Sequence, residues 1–149
     1  MVMRSYLYYQ FYLGKLLFEP ILLAMSIKRL IADDAPFILQ VTKSLIESRE
    51  IIVVGEAVDG VDAVNKALEL KPDAIFIDMV MPHKNGVEAT KEILARLPET
   101  KIIAVSTLDD EFMKEKAFEA GCSDYIIKPF NRNDLLRSLE KVLGKELQG

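Results

Sequence analysis

From Ile27 onward the chain alternates short apolar runs with helix-spaced apolar positions, five times over, and this beat constrains its folding more than any other feature. The runs are "IKRLIA" (27–32), "IIVVGEA" (51–57), "AIFID" (74–78), "KIIAVS" (101–106) and "DYIIK" (124–128). Each is short enough for a strand and too continuously apolar for one with a wet face, so each reads as a strand buried on both sides. Pro36 opens a helix with apolar positions Phe37, Ile38, Val41 and Leu45; Val61, Val64 and Leu68 keep helical spacing after the second run. Val87, Ile93, Leu94 and Leu97 do the same after the third. Asp110 to Ala120 is stopped by Gly121, and Leu135, Leu136, Leu139 and Val142 make a last helix before Gly144. Five strand–helix units give a parallel sheet with helices on both faces, a doubly wound α/β sandwich of three layers. Right-handed crossovers wind the chain both ways from a switch point.

Length and charge narrow the function. At 149 residues the chain holds one domain with a real core. A net charge of −4 leaves no basic face for a nucleic-acid backbone. The single cysteine, Cys122, excludes an internal disulfide framework and any multi-Cys metal site, which fits a cytoplasmic setting. Residues 1–26 stand apart: they carry half of the aromatic residues (Tyr6, Tyr8, Tyr9, Phe11, Tyr12, Phe18) and only Arg4, Lys15 and Glu19 as charges. Gly14, Lys15, Glu19 and Pro20 break this leader as a membrane span, and it lacks the charged start and cleavage site of a signal peptide. Two readings stay open for it: an extension from an early start codon, with Met25 as the natural start, or an apolar helix that docks on a partner or on itself. The expected organisation is a leader (1–26), one domain (27–144) and a short tail (145–149).

In such a sheet, ligands sit at the carboxyl ends of the strands, at the switch point. Those ends carry Asp33 and Asp34 after the first strand, Asp78 on the third, Ser106 on the fourth and Lys128 on the fifth. With strand order 2-1-3-4-5, the first and third strands are neighbours and three carboxylates meet beside a hydroxyl and an ammonium. Two carboxylates a few Å apart repel by roughly 4 kcal/mol at an effective dielectric near 20, so the stretch "RLIADDAP" needs a compensating cation. Lys128 balances one charge; a hard divalent ion such as Mg²⁺ suits the rest. A carboxylate beside Mg²⁺, facing a hydroxyl and a Lys, is also equipped to attack a phosphoryl group.

From about Ile27 to Leu143 the chain resembles the receiver domain of bacterial two-component response regulators, most of all the single-domain chemotaxis (CheY) type. "ADD", "DMVMP" followed by "NG", "VST" and "YIIKPF" carry the resemblance, in the order and spacing of that family. It implies a flavodoxin-like (βα)5 fold and a stand-alone signalling switch, not an enzyme, that takes a phosphoryl group from a histidine kinase. By resemblance Asp78 is the phosphoacceptor. Asp34, Asp78 and the Val80 backbone carbonyl ligate Mg²⁺, with Asp33 reaching it through water. Ser106 and Lys128 hold the phosphoryl oxygens, Tyr125 is the aromatic switch coupled to Ser106, and Lys128-Pro129 is cis. A downstream protein target would dock on the face made by the fourth helix, fifth strand and fifth helix, without nucleic acid or membrane. Val80 and Leu108 are apolar where many fast chemotaxis regulators carry polar groups, which implies slow loss of the phosphoryl group.

Plainer readings stand beside these. Asp33 and Asp34 also suit a helix N-cap and first turn, Asp78 a strand-end turn, and Tyr125 a sheet edge. His83, the only histidine, lies in a Pro/Asn/Gly loop without a second ligand and reads as a solvated residue; Cys122 reads as a packed thiol. Functional alternatives are a docking module that works without phosphorylation, and a Mg²⁺-dependent phosphatase that turns over an aspartyl phosphate. The phosphatase is weakened because no second Asp follows Asp78 two residues on. No Gly-rich loop ending in Lys-Ser/Thr is present, which excludes a P-loop enzyme.

Overall fold

The computed structural model describes residues 26–144, 146 and 147. Both readings of the leader, and most of the tail, concern residues outside that range. Five strands form one parallel sheet: β1 (Ile27–Ala32), β2 (Ile51–Ala57), β3 (Ala74–Asp78), β4 (Lys101–Ser106) and β5 (Asp124–Ile127). They are joined and followed by α1 (Pro36–Ile46), α2 (Gly60–Leu70), α3 (Gly86–Arg96), α4 (Glu111–Ala120) and α5 (Arg132–Leu143). The spatial order is β2-β1-β3-β4-β5, as the sequence implies for the doubly wound (βα)5 fold. The fifth strand is one residue shorter than expected. Lys128 still donates its amide to the Ser106 carbonyl at 2.8 Å, but Pro129 has no N–H with which to continue the ladder.

The period of two along each strand divides the core. Leu30, Ile75, Ile77, Ile102 and Ala104 face α2, α3 and α4; Ile27, Ile31, Phe76, Ile103 and Val105 face α1 and α5. In α1 the buried stripe is Leu39, Thr42 and Ile46, and Phe37 is 71% exposed instead of packing inward. Val61, in the first turn of α2, is also exposed. Side-chain caps fix the starts of α2 to α5, through Asp59, Asn85, Asp110 and Asn131, the last as a capping box with Asp134. Leu147, beyond α5, packs into the second core, and its amide donates to Glu140 Oε1 at 3.1 Å. Among the described residues no helix is long and apolar enough to cross a membrane.

One core residue breaks the pattern. Arg29, in the middle of β1, is fully buried, and none of its three side-chain nitrogens has a hydrogen-bond partner among the described residues. Its guanidinium lies over the Phe76 ring, 5.8 Å from the centroid. Burial pulls its pKa down to about 9, against the upward pull of Asp73.

Candidate functional site

The register between β1 and β3 pairs Ala32 with Ile77, so the next residues, Asp33 and Asp78, stand side by side where the strands end. Asp33 is tied down on both oxygens: Oδ1 accepts from the Ala35 amide at 2.9 Å and Oδ2 from Lys128 Nζ at 2.6 Å. The helix that follows has Ala35, not either aspartate, at its N-cap, with no side-chain cap bond. The helix-cap reading of the acid pair therefore fails, and Asp34 remains exposed at the rim. Asp78 is buried; its Oδ1 accepts from the Val80 amide at 3.1 Å, and its Oδ2 lies 3.4 Å from Lys128 Nζ. One carboxylate oxygen from each of Asp33, Asp34 and Asp78 falls within 4.8 Å of the others.

Ser106 closes the site from β4, fully buried, with its Oγ accepting from the Leu108 amide at 3.1 Å. The hydroxyl hydrogen is left to donate elsewhere. Tyr125, half-buried on β5, donates from its hydroxyl to the Leu108 carbonyl at 2.6 Å. The loop after Ser106 is thus held by the serine on one side and the tyrosine on the other. Lys128-Pro129 is cis. The turn signal Asn85-Gly86 does more than turn the chain: a Cβ on Gly86 would lie 2.3 Å from the Asp78 carbonyl oxygen, so only glycine lets α3 start against the end of β3.

Electrostatics leave the site short of positive charge. Burial raises the pKa of Asp78, opposed by the Val80 amide and Lys128 and helped by the like charge of Asp33. Burial acts to lower Lys128, but its bond to Asp33 and the field of Asp78 and Asp33 outweigh that and raise it. The ammonium therefore serves Asp33 first, at the shorter distance, and Asp78 keeps an incompletely compensated carboxylate. Three carboxylates against one ammonium, gathered on oxygen donors alone, fit a hard divalent cation.

The residues outside this cluster behave as the plain readings expect. His83 is exposed at φ 67°, with Nε2 4.0 Å from Asp59 Oδ2. Cys122 is buried against Thr90, 3.7 Å from its hydroxyl, and burial pushes its thiol up to about 11. Such a thiol is inert at neutral pH. The partner of Tyr125 was not readable from the sequence, because Leu108 contributes only its carbonyl.

Residues 30–140 match the family model of the response regulator receiver domain. The chain is 41% identical over 118 residues to a chemotaxis protein CheY of Thermotoga maritima, covering 79% of this chain and 98% of that one. Among solved structures it is similar to the response regulator domain of Thermotoga maritima CheB, with TM-score 0.70 and 38% identity over 80% of this chain and 95% of that one. It is also similar to the receiver domain of a sensor histidine kinase from Pseudomonas aeruginosa, a structure with a magnesium ion coordinated in the active-site cleft. There the TM-score is 0.73 and the identity 31%, over 80% of this chain and 99% of that one.

Proposed function

The chain belongs to the response regulator receiver domain family, and from that premise we propose that it is a phosphorylation-controlled switch with Asp78 as phosphoacceptor and a histidine kinase as donor. The observation that carries this reading is the Asp78 carboxylate, buried between Asp33 and Lys128 and only partly compensated by the ammonium. In the transfer, a bond forms between an Asp78 carboxylate oxygen and phosphorus as the P–N bond of a phosphohistidine breaks; the imidazole leaves with the electron pair and takes its proton from solvent. Lys128 Nζ, 3.4 Å from Asp78 Oδ2, would pair with the phosphoryl oxygens, and the Ser106 hydroxyl would donate to one of them while still accepting from Leu108. Asp33, Asp34, Asp78 and the Val80 carbonyl would hold Mg²⁺, which when bound neutralises the phosphoryl oxygens as charge spreads over them.

The surroundings favour a protein donor. Phe37, Val58, Val61, Val80, Leu108 and Phe112 are all exposed, and all lie in the loops or first helical turns that follow the strand ends. They form a broken apolar rim around the carboxylates, the kind of surface that marks a protein contact. The output is proposed on the α4–β5–α5 face, where Tyr125, Ile127, Arg137 and Lys141 border a cavity of about 380 Å³. Rearrangement of Ser106 on phosphorylation would release or tighten the Leu108 loop and, through its bond to Tyr125, that face. A swing from 1:99 to 99:1 in such an equilibrium takes about 5.5 kcal/mol of differential stabilisation. Kinship with CheY makes chemotaxis control in the cytoplasm the proposed setting.

The test is phosphorylation by acetyl phosphate with MgCl₂, read by intact mass. The parent gains one phosphate; Asp78→Asn, or the parent with chelator, does not. Absence of an adduct in the parent, with Mg²⁺ bound, would refute the switch chemistry and leave the docking module that works without phosphorylation.

A further inference from the structure

The loop between β3 and α3 rests on a helix that comes earlier in the chain. β1 lies between β2 and β3 in the sheet, and α2 and α3 pack together on one face of it, so the first turn of α2 stands beside this loop. Gly60, the first residue of α2, is buried there. Its backbone is not in the left-handed region, and within a helix glycine has no conformational advantage over alanine. Space accounts for it instead: a Cβ at this position would lie 1.9 Å from the Lys84 carbonyl oxygen and 2.5 Å from its carbon, and both are backbone atoms.

A push on Lys84 is passed along the loop, because its backbone is tied to itself from end to end. The Val80 amide donates to Asp78 Oδ1 at 3.1 Å, the Lys84 amide to the Pro82 carbonyl at 2.7 Å, and the Gly86 amide to the Met79 carbonyl at 3.1 Å. The far side is pinned where Gly86 meets the Asp78 carbonyl. Gly60 and Gly86 thus bracket the loop, and Val80 lies on the backbone between the two contacts. To admit a Cβ at residue 60, the Lys84 carbonyl has to retreat by about 1 Å, since real Cβ contacts stop near 3.0 Å. We infer that Gly60 is a positioning residue for the metal site: by carrying no side chain it lets the first turn of α2 seat the β3–α3 loop, and so sets the Val80 carbonyl for Mg²⁺, an ion that tolerates little departure from its preferred geometry. This rests on the reading of that carbonyl as a ligand. Asp59 keeps the seat in shape, as the N-cap of α2 whose Oδ1 accepts from the Asp62 amide at 2.7 Å.

The test is a MgCl₂ titration of the isotopically labelled chain followed by nuclear magnetic resonance. In the parent the Val80 carbonyl carbon should shift together with the carboxyl carbons of Asp34 and Asp78. Gly60→Ala should raise the Mg²⁺ dissociation constant roughly ten- to a hundredfold, as loss of a group that orients a metal ligand does, and should displace the Val80 carbonyl resonance before any metal is added. Gly55→Ala, whose Cβ would crowd Leu70 at the other end of the same helix at 2.7 Å, should leave the constant unchanged. Should Gly60→Ala fail to fold, Asp59→Ala and Asp59→Asn decide: the alanine, which removes the cap, should weaken Mg²⁺ about threefold or more, and the asparagine, which caps as well as aspartate, should restore binding. Equal effects of the two glycine variants, equal effects of the two Asp59 variants, or a constant unchanged in Gly60→Ala would overturn the assignment. A parent that binds Mg²⁺ with its Val80 carbonyl resonance unmoved would remove the ligand reading and the assignment with it. A parent that shows the Gly60 effect but takes up no phosphate, read by intact mass, would remove the phosphoacceptor reading alone.

Discussion

Replacing Arg29 by methionine should make the protein more stable, although it deletes a charge from the middle of a strand. The guanidinium is fully buried, its three nitrogens have no partner among the described residues, and burial pulls its pKa from the ordinary arginine value down to about 9. At 1.36 kcal/mol per unit, that displacement corresponds to about 5 kcal/mol spent on keeping the cation in the core, net of the help from Asp73. The contact with the Phe76 ring returns part of it, on the order of 1–2 kcal/mol. Methionine fills a similar length of space with no polar atom. Replacements of buried ions by apolar residues elsewhere gain about 1–4 kcal/mol, and the upper half of that range is expected here. In urea at neutral pH the unfolding midpoint should rise by roughly 2–3 M at unchanged slope, taking a slope of about 1.5 kcal/mol/M. Arg29→Ala should gain less, because it leaves a cavity.

The same residue sets a pH signature. Its folded pKa lies below its unfolded value, so below pH 9 both states hold the proton and the folded state bears the full cost. Above about 9 the folded state releases a proton that the unfolded state keeps, and the parent gains stability as pH rises further while Arg29→Met does not. The gap between variant and parent should therefore narrow from pH 8 to pH 10. A variant no more stable than the parent at pH 7, or a gap independent of pH, would show that the guanidinium is paired or hydrated in solution and would refute the reasoning.

Three further outcomes follow from the site. MgCl₂ should raise the melting temperature, by about 1.4 kcal/mol of stabilisation at ten times the dissociation constant, and Asp34→Asn should abolish most of that rise in a thermal scan. Lys128→Met should destabilise the fold by roughly 3 kcal/mol at pH 7, because Asp33 and Asp78 lose the one cation that pairs with them among the described residues and remain buried; Lys128 is raised, so this contribution is complete below pH 10.5 and fades only as pH climbs through the folded value, which urea titrations at pH 7 and 11 would check. Val80→Asn should shorten the lifetime of the phosphorylated form several-fold, since a polar group at that exposed position can orient water toward the aspartyl phosphate; decay followed by intact mass at an unchanged rate would count against the apolar shield.

The strands were legible because each is a short, continuous apolar run, which has few other uses at that length; β1, β3 and β4 are buried on both faces, whereas the edge strands β2 and β5 are largely half-buried. The carboxylate site was legible for a related reason: once the strand order is 2-1-3-4-5, topology alone brings the ends of β1 and β3 together, and Asp33, Asp34 and Asp78 need no further information to meet. Side-chain choice within a neighbourhood was less accessible. Sequence places Lys128 near the acids but does not say that it favours Asp33, because that preference rests on differences of under 1 Å. It marks Phe37, Ile38, Val41 and Leu45 as the apolar positions of α1, and only the sheet turns Leu39, Thr42 and Ile46 fully inward and leaves Phe37 exposed. Arg29 did leave a signal, since Ile27 and Ile31 flank it at the strand period and point inward, which obliges the arginine to do the same. Local rules are broken in both directions, and the position of each breach separates its meaning. Phe112, an apolar residue on the surface, stands at the carboxyl end of the sheet beside Val80, where an exposed ring can meet a partner. Arg29, a charge in the core, pairs in register with Ala74 at the start of β3, four residues before Asp78. Removing the first should therefore leave stability nearly unchanged; removing the second should gain stability and leave phosphate uptake unchanged.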